Sequence, residues 1–181
     1  MRRRHLLAGL ASVGVLGGAG AVATSTVPAA LTGEGTSEAI EPVTIQTIDA
    51  PGSRDGEVTV PANGRPTFVD FFGTYCSPCI EQMPDLGDAA DRVGDEVLFV
   101  SVTNEAVGRA MPEEQLASWW EKHNGDWLVA ADVTAELAGK FSISGYPTAI
   151  VLDATGRVTW RGSGAHTADE IVAGIETALD R

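Results

Sequence analysis

Two cysteines, the only ones in the chain, lie in the segment Cys76-Ser77-Pro78-Cys79. An apolar run at residues 67–72 precedes them, and a segment with helical character follows. Both sulfurs would then lie at the start of a helix, where free N–H groups and the helix dipole favour a thiolate. Because the thiolate is the form that attacks a disulfide, the sequence predicts thiol-disulfide exchange, with Cys76 as the nucleophile and Cys79 as the resolving thiol.

The two residues between the cysteines suit this chemistry. Pro78 fixes φ in the first helical turn, where its missing N–H costs little. Ser77 is small and polar, and we expect it to tune the redox potential of the pair.

A Cys-x-x-Cys pair can also be half of a zinc site or a purely structural disulfide. Zinc needs about four ligands, whereas the chain has no second cysteine pair and only three histidines. A bridge across so short a loop constrains the unfolded chain little, because the entropy gained grows with loop length. Both alternatives are therefore disfavoured.

The N-terminal segment, residues 1–27, has the pattern of an export signal. Three arginines are followed by an uncharged stretch rich in Ala, Gly and Val at residues 6–27. Arg3-Arg4-His5-Leu6-Leu7 resembles the twin-arginine motif. Two fates are open for the uncharged stretch. It is either cleaved off with the signal or, since it is long enough to span a membrane, retained as an anchor. Residues 28–42 are small and polar, which predicts a flexible linker before a folded domain at residues 43–181.

The charge of the chain is strongly acidic, with a formal net charge of −13. Such a charge disfavours nucleic acid as a partner. The carboxylates are spread along the chain, a composition that resembles proteins from high-salt habitats, where salt screens their mutual repulsion.

The pattern of apolar residues predicts alternating strands and helices. Strands are predicted at residues 43–48, 57–60, 67–72, 97–102, 128–131, 148–152 and 158–162, and helices at 79–93 (interrupted by Pro84), 112–123, 135–141 and 167–179. The first two strands and the last two would each form a hairpin, and Thr167 with Glu170 would form a capping box for the final helix. The chain is therefore predicted to be an α/β domain with a mixed sheet flanked by helices.

Three motifs are more specific: VDFFGTYCSPC at residues 69–79, Pro84 in the following helix, and GYPT at residues 145–148. In these motifs the chain resembles the thioredoxin superfamily and, within it, the exported TlpA/ResA-type thiol-disulfide oxidoreductases, over residues 43–179. The resemblance implies a thioredoxin-like fold, with residues 102–127 matching the helical insertion of the TlpA/ResA type.

The resemblance also implies roles for particular residues. The proline that Pro147 matches has a cis peptide bond beside the redox pair, and its loop pairs with an extended substrate, which would bind across Tyr75, Tyr146 and Pro147. Asp70 matches a buried acid that exchanges a proton with the resolving cysteine, and we expect its pKa to be raised. The alternative is a partly solvated, hydrogen-bonded carboxylate with no catalytic part. Leu128, which stands where thioredoxins have the lysine that accompanies the acid, is a departure from the family pattern.

These observations predict an exported oxidoreductase that exchanges disulfides with protein clients, as a reductant, without a cofactor. A membrane or extracytoplasmic electron donor would restore it, and the protein would be a monomer. Two hypotheses of other classes stay open. One is a Cu(I) chaperone that uses the same two thiolates, and the other is a redox-inert adaptor with the same fold.

Overall fold

The structure, a computed structural model, describes residues 38–180. The predicted signal or anchor and residues 28–37 of the predicted linker lie outside the described residues. Within residues 38–180, none of the helices combines the length and apolar character needed to cross a membrane. Ile40, within the predicted linker, contacts the folded domain, because its N–H donates a hydrogen bond to the carbonyl of Gly156 (2.8 Å).

The elements follow the predicted order, and their ends agree with the predicted ones to within two residues. The strands are β1 (Val43–Thr47), β2 (Gly56–Val60), β3 (Thr67–Phe72), β4 (Leu98–Thr103), β5 (Leu128–Ala131), β6 (Thr148–Leu152) and β7 (Val158–Ser163). The helices are α1 (Ser77–Val93), α2 (Glu113–Lys122), α3 (Glu136–Lys140) and α4 (Ala168–Leu179), with a short 3₁₀ turn at Gly94–Glu96.

Helix α1 continues through Pro84, so the predicted interruption of this helix is wrong. A proline inside a helix removes one backbone hydrogen bond, which by itself favours a break. Here the side chains on both sides of it, Met83 and Leu86, are buried in the core. Their burial holds the two halves of the helix in line, because each fully buried apolar side chain contributes about 1.5–3 kcal/mol.

The strands form one mixed sheet in the order β2-β1-β5-β4-β3-β6-β7. The pairs β3–β4 and β4–β5 are parallel and the other neighbours are antiparallel, so the predicted mixed sheet and both predicted hairpins are confirmed. Helix α2 lies between β4 and β5 in the chain, within the predicted insertion.

Strand β3 is buried on both faces of the sheet. Phe68 and Phe72 pack in the cluster that contains residues of α1, α2 and α4, whereas Val69 and Phe71 pack with residues of α3. Successive side chains of a strand point to opposite faces, so Asp70 lies on the same face as Phe68 and Phe72. Cys79 belongs to that same cluster. The fold therefore places the acid and the second cysteine on one side of the sheet.

The capping box of α4 is present as predicted. The hydroxyl of Thr167 accepts from the N–H of Glu170 (3.4 Å), and the carboxylate of Glu170 accepts from the N–H of Thr167 (2.9 Å). We expect Thr167→Ala to lower the free energy of unfolding by about 1 kcal/mol, measured by urea denaturation. The control Glu176→Ala, on the exposed surface of the same helix, should change it by less than about 0.5 kcal/mol. Equal effects of the two variants would contradict a role for the cap.

Candidate active site

The two cysteines are joined in a disulfide, with their Cα atoms 5.3 Å apart. Cys76 is the N-cap of α1, and its Sγ accepts a hydrogen bond from the N–H of Cys79 (3.3 Å). In the reduced protein the same N–H and the helix dipole would stabilise a thiolate on Cys76. Cys76 is half-buried, whereas Cys79 is only 2% exposed. A partner molecule therefore has access to Cys76 and not to Cys79.

The residues between the cysteines, Ser77 and Pro78, are both exposed in the first turn of α1. Pro78 lies in the first turn of the helix, where a backbone N–H has no acceptor within the helix, so its missing N–H costs little. Within residues 38–180, neither residue makes a side-chain hydrogen bond, so the tuning role stays a prediction.

The loop before Cys76 is fixed by hydrogen bonds. The N–H of Cys76 donates to the carbonyl of Gly73 (3.1 Å). Glu105 accepts from both the N–H and the hydroxyl of Thr74, each at 2.8 Å. The indole N–H of Trp119 donates to the carbonyl of Thr74 (3.1 Å). The backbone next to the redox pair is thus held by residues that follow β4.

Tyr75, Tyr146 and Pro147 come together beside this loop. A side-chain carbon on Gly73 would lie 3.3 Å from the ring of Tyr75 and 3.4 Å from the ring of Tyr146, so both rings border this glycine. Tyr75 is 75% exposed. The Tyr146–Pro147 peptide bond is cis, as the resemblance implied, and the carbonyl of Pro147 accepts from the N–H of Gly164 (2.9 Å). A second cis bond, before Pro61, was not predicted.

Asp70 is buried in β3, on the same side of the sheet as the cluster that contains Cys79, with 1% of its surface exposed. Its Oδ2 accepts from the hydroxyl of Ser101 (3.0 Å), whose oxygen accepts in turn from the indole N–H of Trp127 (2.9 Å). Among the described residues, Oδ1 of Asp70 has no hydrogen-bond partner. The single proton of Ser101 points to Oδ2, so a proton bound to the carboxyl group belongs on Oδ1.

The environment of Asp70 changes its acidity in the expected direction. Burial raises the pKa of Asp70 to about 7, and the hydrogen bond from Ser101 opposes part of that rise. Near neutral pH the group is therefore present in both protonation states, which is the condition for giving and taking a proton.

Four residues of the site escaped the sequence analysis: Ser101, Asn104, Glu105 and Trp127. Asn104 accepts a hydrogen bond from the hydroxyl of Tyr146. One indication was available in the sequence, since Ser101 is a polar residue inside an otherwise apolar strand. The others depend on which strands are neighbours.

The chain belongs to the redoxin family, which it matches over residues 44–179. It is 23% identical to the thiol-disulfide oxidoreductase ResA of Bacillus cereus over 110 residues, 60% of each chain. It is 24% identical to the chloroplastic thioredoxin Y of Oryza sativa over 116 residues, 64% of this chain and 52% of the relative. The chain thus spans a little more than half the length of these curated relatives.

Solved structures confirm the predicted thioredoxin-like fold. StoA from Bacillus subtilis superposes with a TM-score of 0.63 at 20% identity, over 74% of this chain and 96% of that one. A thiol-disulfide isomerase from Corynebacterium glutamicum superposes with a TM-score of 0.64 at 16% identity, over 81% and 98% of the two chains. The similarity to ResA confirms the predicted relation to ResA-type proteins.

Proposed function

We propose that the protein is an extracytoplasmic thiol-disulfide oxidoreductase that acts on protein clients, as a reductant. The observation that carries this proposal is the Cys76–Cys79 disulfide at the N-terminus of α1, with Cys76 half-buried and Cys79 buried. The ring of Tyr146, which precedes the cis proline, borders Gly73 in the loop before Cys76. Membership of the redoxin family and similarity to ResA support the same chemistry.

The proposed reaction begins on the reduced protein. The thiolate of Cys76 attacks one sulfur of a client disulfide, forms a mixed disulfide and releases the other client sulfur as a thiolate, which takes a proton from water. Cys79 then gives its proton to Asp70 and attacks the sulfur of Cys76. The second client sulfur leaves and is protonated, so the client gains two electrons and two protons. The protein becomes the disulfide form, and a donor dithiol restores it.

Clients are proposed to bind to the client surface, which we define as Tyr75, Tyr146 and Pro147. Tyr75 offers an exposed aromatic ring, and an extended segment can pair with the backbone of Tyr146 in the manner of an added strand. Ser77 and Pro78 are proposed to tune the potential from their exposed positions in the first turn.

One carboxylate close to the loop before Cys76 supports the reductive direction. The carboxylate of Glu105 is bonded to Thr74, two residues before Cys76. A nearby negative charge opposes the thiolate, and a reduced form that is less stabilised donates electrons more readily. Export through the twin-arginine-like segment is part of the proposal, and the net charge of −13 suits a salt-rich exterior.

Replacing Cys79 by serine tests the exchange chemistry. Without a resolving thiol, Cys76 is expected to accumulate clients as mixed disulfides, seen on non-reducing gels as higher bands that dithiothreitol removes. The matched control is the Cys76→Ser/Cys79→Ser double variant, which cannot form these bands.

The outcomes separate the three hypotheses. Bands that appear only in Cys79→Ser support exchange with protein clients. If neither insulin nor extracytoplasmic extracts form such bands, exchange chemistry is contradicted. Tight 1:1 binding of Cu(I) to the reduced wild type, in the absence of bands, would favour a metal chaperone, and full biological function of the double variant would favour an adaptor.

A further inference from the structure

Three chain segments converge at one edge of the sheet. Strands β3 and β4 are parallel neighbours and end in register, at Phe72 and Thr103. Strand β6 pairs with β3 on its other side, and its first residue, Thr148, lies opposite Phe71. The loop before Cys76 therefore lies between the residues that follow β4 and those that precede β6.

Glu105, two residues after the end of β4, accepts hydrogen bonds from three donors. Its carboxylate accepts from the N–H and the hydroxyl of Thr74, each at 2.8 Å, and from the hydroxyl of Thr103 at 3.1 Å. Hydrogen bonds to an ionised carboxylate are about twice as strong as those between neutral groups. Thr74 is adjacent to Tyr75, so Glu105 fixes the backbone from which one wall of the client surface projects.

Trp119 of α2 completes the contacts of Thr74. Its indole N–H donates to the carbonyl of Thr74 (3.1 Å), and its ring stacks on Phe72 with centroids 5.2 Å apart. Together with Glu105, Trp119 satisfies the N–H, the carbonyl and the hydroxyl of Thr74. A threonine whose polar groups are all bonded to two neighbouring side chains has little freedom to move on its own.

Asn104 makes the corresponding contact with Tyr146, the second aromatic side chain of the client surface. Its side-chain carbonyl accepts from the hydroxyl of Tyr146. Burial, first of all, raises the pKa of Tyr146 above its ordinary value, and the negative charge of Glu105 adds to the rise. The tyrosine hydroxyl is thus kept protonated and able to donate. Two consecutive residues therefore hold the two aromatic walls of the client surface.

We propose that Asn104 and Glu105 are positioning residues that set the separation of Tyr75 and Tyr146 and so determine how well a protein segment fits beside Cys76. The inference rests on the proposed function. An extended polypeptide must lie between both walls, whereas a small disulfide needs only the sulfur of Cys76. The two residues should therefore matter for protein clients and not for small disulfides.

The test compares two disulfide substrates. Each oxidises the pre-reduced protein in a single turnover, and the reaction is measured as the loss of protein thiols. Insulin serves as the protein disulfide and dithiodipyridine as the small one. For Glu105→Ala we expect the half-saturating insulin concentration to rise roughly tenfold, the size expected when charge-assisted hydrogen bonds are lost. Loss of the Glu105 charge also favours the Cys76 thiolate, so the rates are compared at a pH at which Cys76 is ionised in both proteins. There the limiting rate with insulin and the rate with dithiodipyridine should stay within about twofold of the wild type.

Conservative variants distinguish positioning from a general loss of structure. Glu105→Gln keeps one acceptor oxygen for the N–H of Thr74 and should restore part of the insulin affinity. Asn104→Ala removes the acceptor of the Tyr146 hydroxyl and should raise the half-saturating insulin concentration without a change in thermal midpoint. Glu114→Ala, an exposed carboxylate of α2, is the matched control and should behave as the wild type.

Each failure has its own signature. If Glu105→Ala slows reduction of both substrates equally, or changes neither, the positioning inference is overturned. If Glu105→Gln is as impaired as Glu105→Ala, the hydrogen bond to Thr74 is not the cause and the inference is likewise overturned. If the reduced wild type reacts with neither substrate, the proposed function itself fails.

Discussion

Replacing Cys76 by serine is expected to slow insulin reduction to the uncatalysed rate while the domain stays folded. A serine hydroxyl is not ionised near neutral pH and cannot attack a disulfide. Cys79, at 2% exposure, is not accessible to a client and cannot take over. The measurement is insulin reduction with dithiothreitol as the electron donor.

The stability of the same variant separates a redox role from a structural one. The bridge closes a loop with a sequence separation of three, and loop-closure entropy gives so short a loop no more than about 2 kcal/mol. We expect urea denaturation to show a loss within that limit when oxidised wild type is compared with Cys76→Ser. Turnover that persists in Cys76→Ser would contradict the assignment of Cys76 as the nucleophile. A much larger loss of stability would show that the bridge has a structural role.

The order of elements could be predicted because each depends on neighbouring residues. Five of the six residues of β3 are apolar or β-prone, with Asp70 the exception, and this pattern indicates a strand buried on both faces. The capping box at Thr167 and the position of the cysteines at a helix start are likewise local features. The cis bond before Pro147 was implied by the family resemblance, and Val60–Pro61 lacked any such context.

The surroundings of Asp70 could not be predicted, because they depend on register. Asp70 lies opposite Ser101 in the parallel pair of β3 and β4. A slip of one residue would have turned Ser101 to the other face of the sheet. Trp127 reaches Ser101 only because the chain returns beside β4 after α2. The sequence thus indicated a buried acid and left its hydrogen-bond partners open.

The contact between Thr74 and Glu105 is of the same kind. The two residues are 31 positions apart, and each follows a strand that ends at the same edge of the sheet. Residues that follow neighbouring parallel strands meet at their carboxyl ends, where functional sites of α/β proteins are commonly found. Without the strand order, no pattern in the sequence selects Glu105 from the many exposed carboxylates.

Asp70→Asn is expected to raise the stability of the protein above pH 7 while it impairs turnover. Burial raises the pKa of Asp70 from 3.8 to about 7. A raised pKa means that the contribution of Asp70 to stability is fully present below pH 3.8 and is lost as the pH rises through 7. In alkaline solution, ionisation of the buried Asp70 therefore lowers the free energy of unfolding by roughly 4 kcal/mol. The neutral asparagine does not ionise and avoids this loss.

The measurement is the free energy of unfolding in urea at several pH values from 4 to 9. The advantage of Asp70→Asn over the wild type should grow across this range and level off above pH 7. Asp153→Asn is the control, because the pKa of Asp153 is shifted in the opposite direction from that of Asp70. Burial opposes ionisation of Asp153, but hydrogen bonds from Thr155 and Arg157 lower its pKa. Its substitution should therefore destabilise the protein at neutral pH, and the loss should shrink in acid as the carboxylate is protonated.

Turnover of Asp70→Asn tests whether the buried acid takes part in the reaction. Loss of a proton acceptor for Cys79 should slow resolution of the mixed disulfide about a hundredfold near pH 7, and the pH dependence of that step should lose its inflection. Ser101→Ala removes the hydrogen bond that lowers the pKa of Asp70, so the inflection should move to higher pH. A variant with the predicted gain in stability and unchanged turnover would leave Asp70 as a buried carboxyl group without a catalytic part. A variant with neither effect would contradict the raised pKa itself.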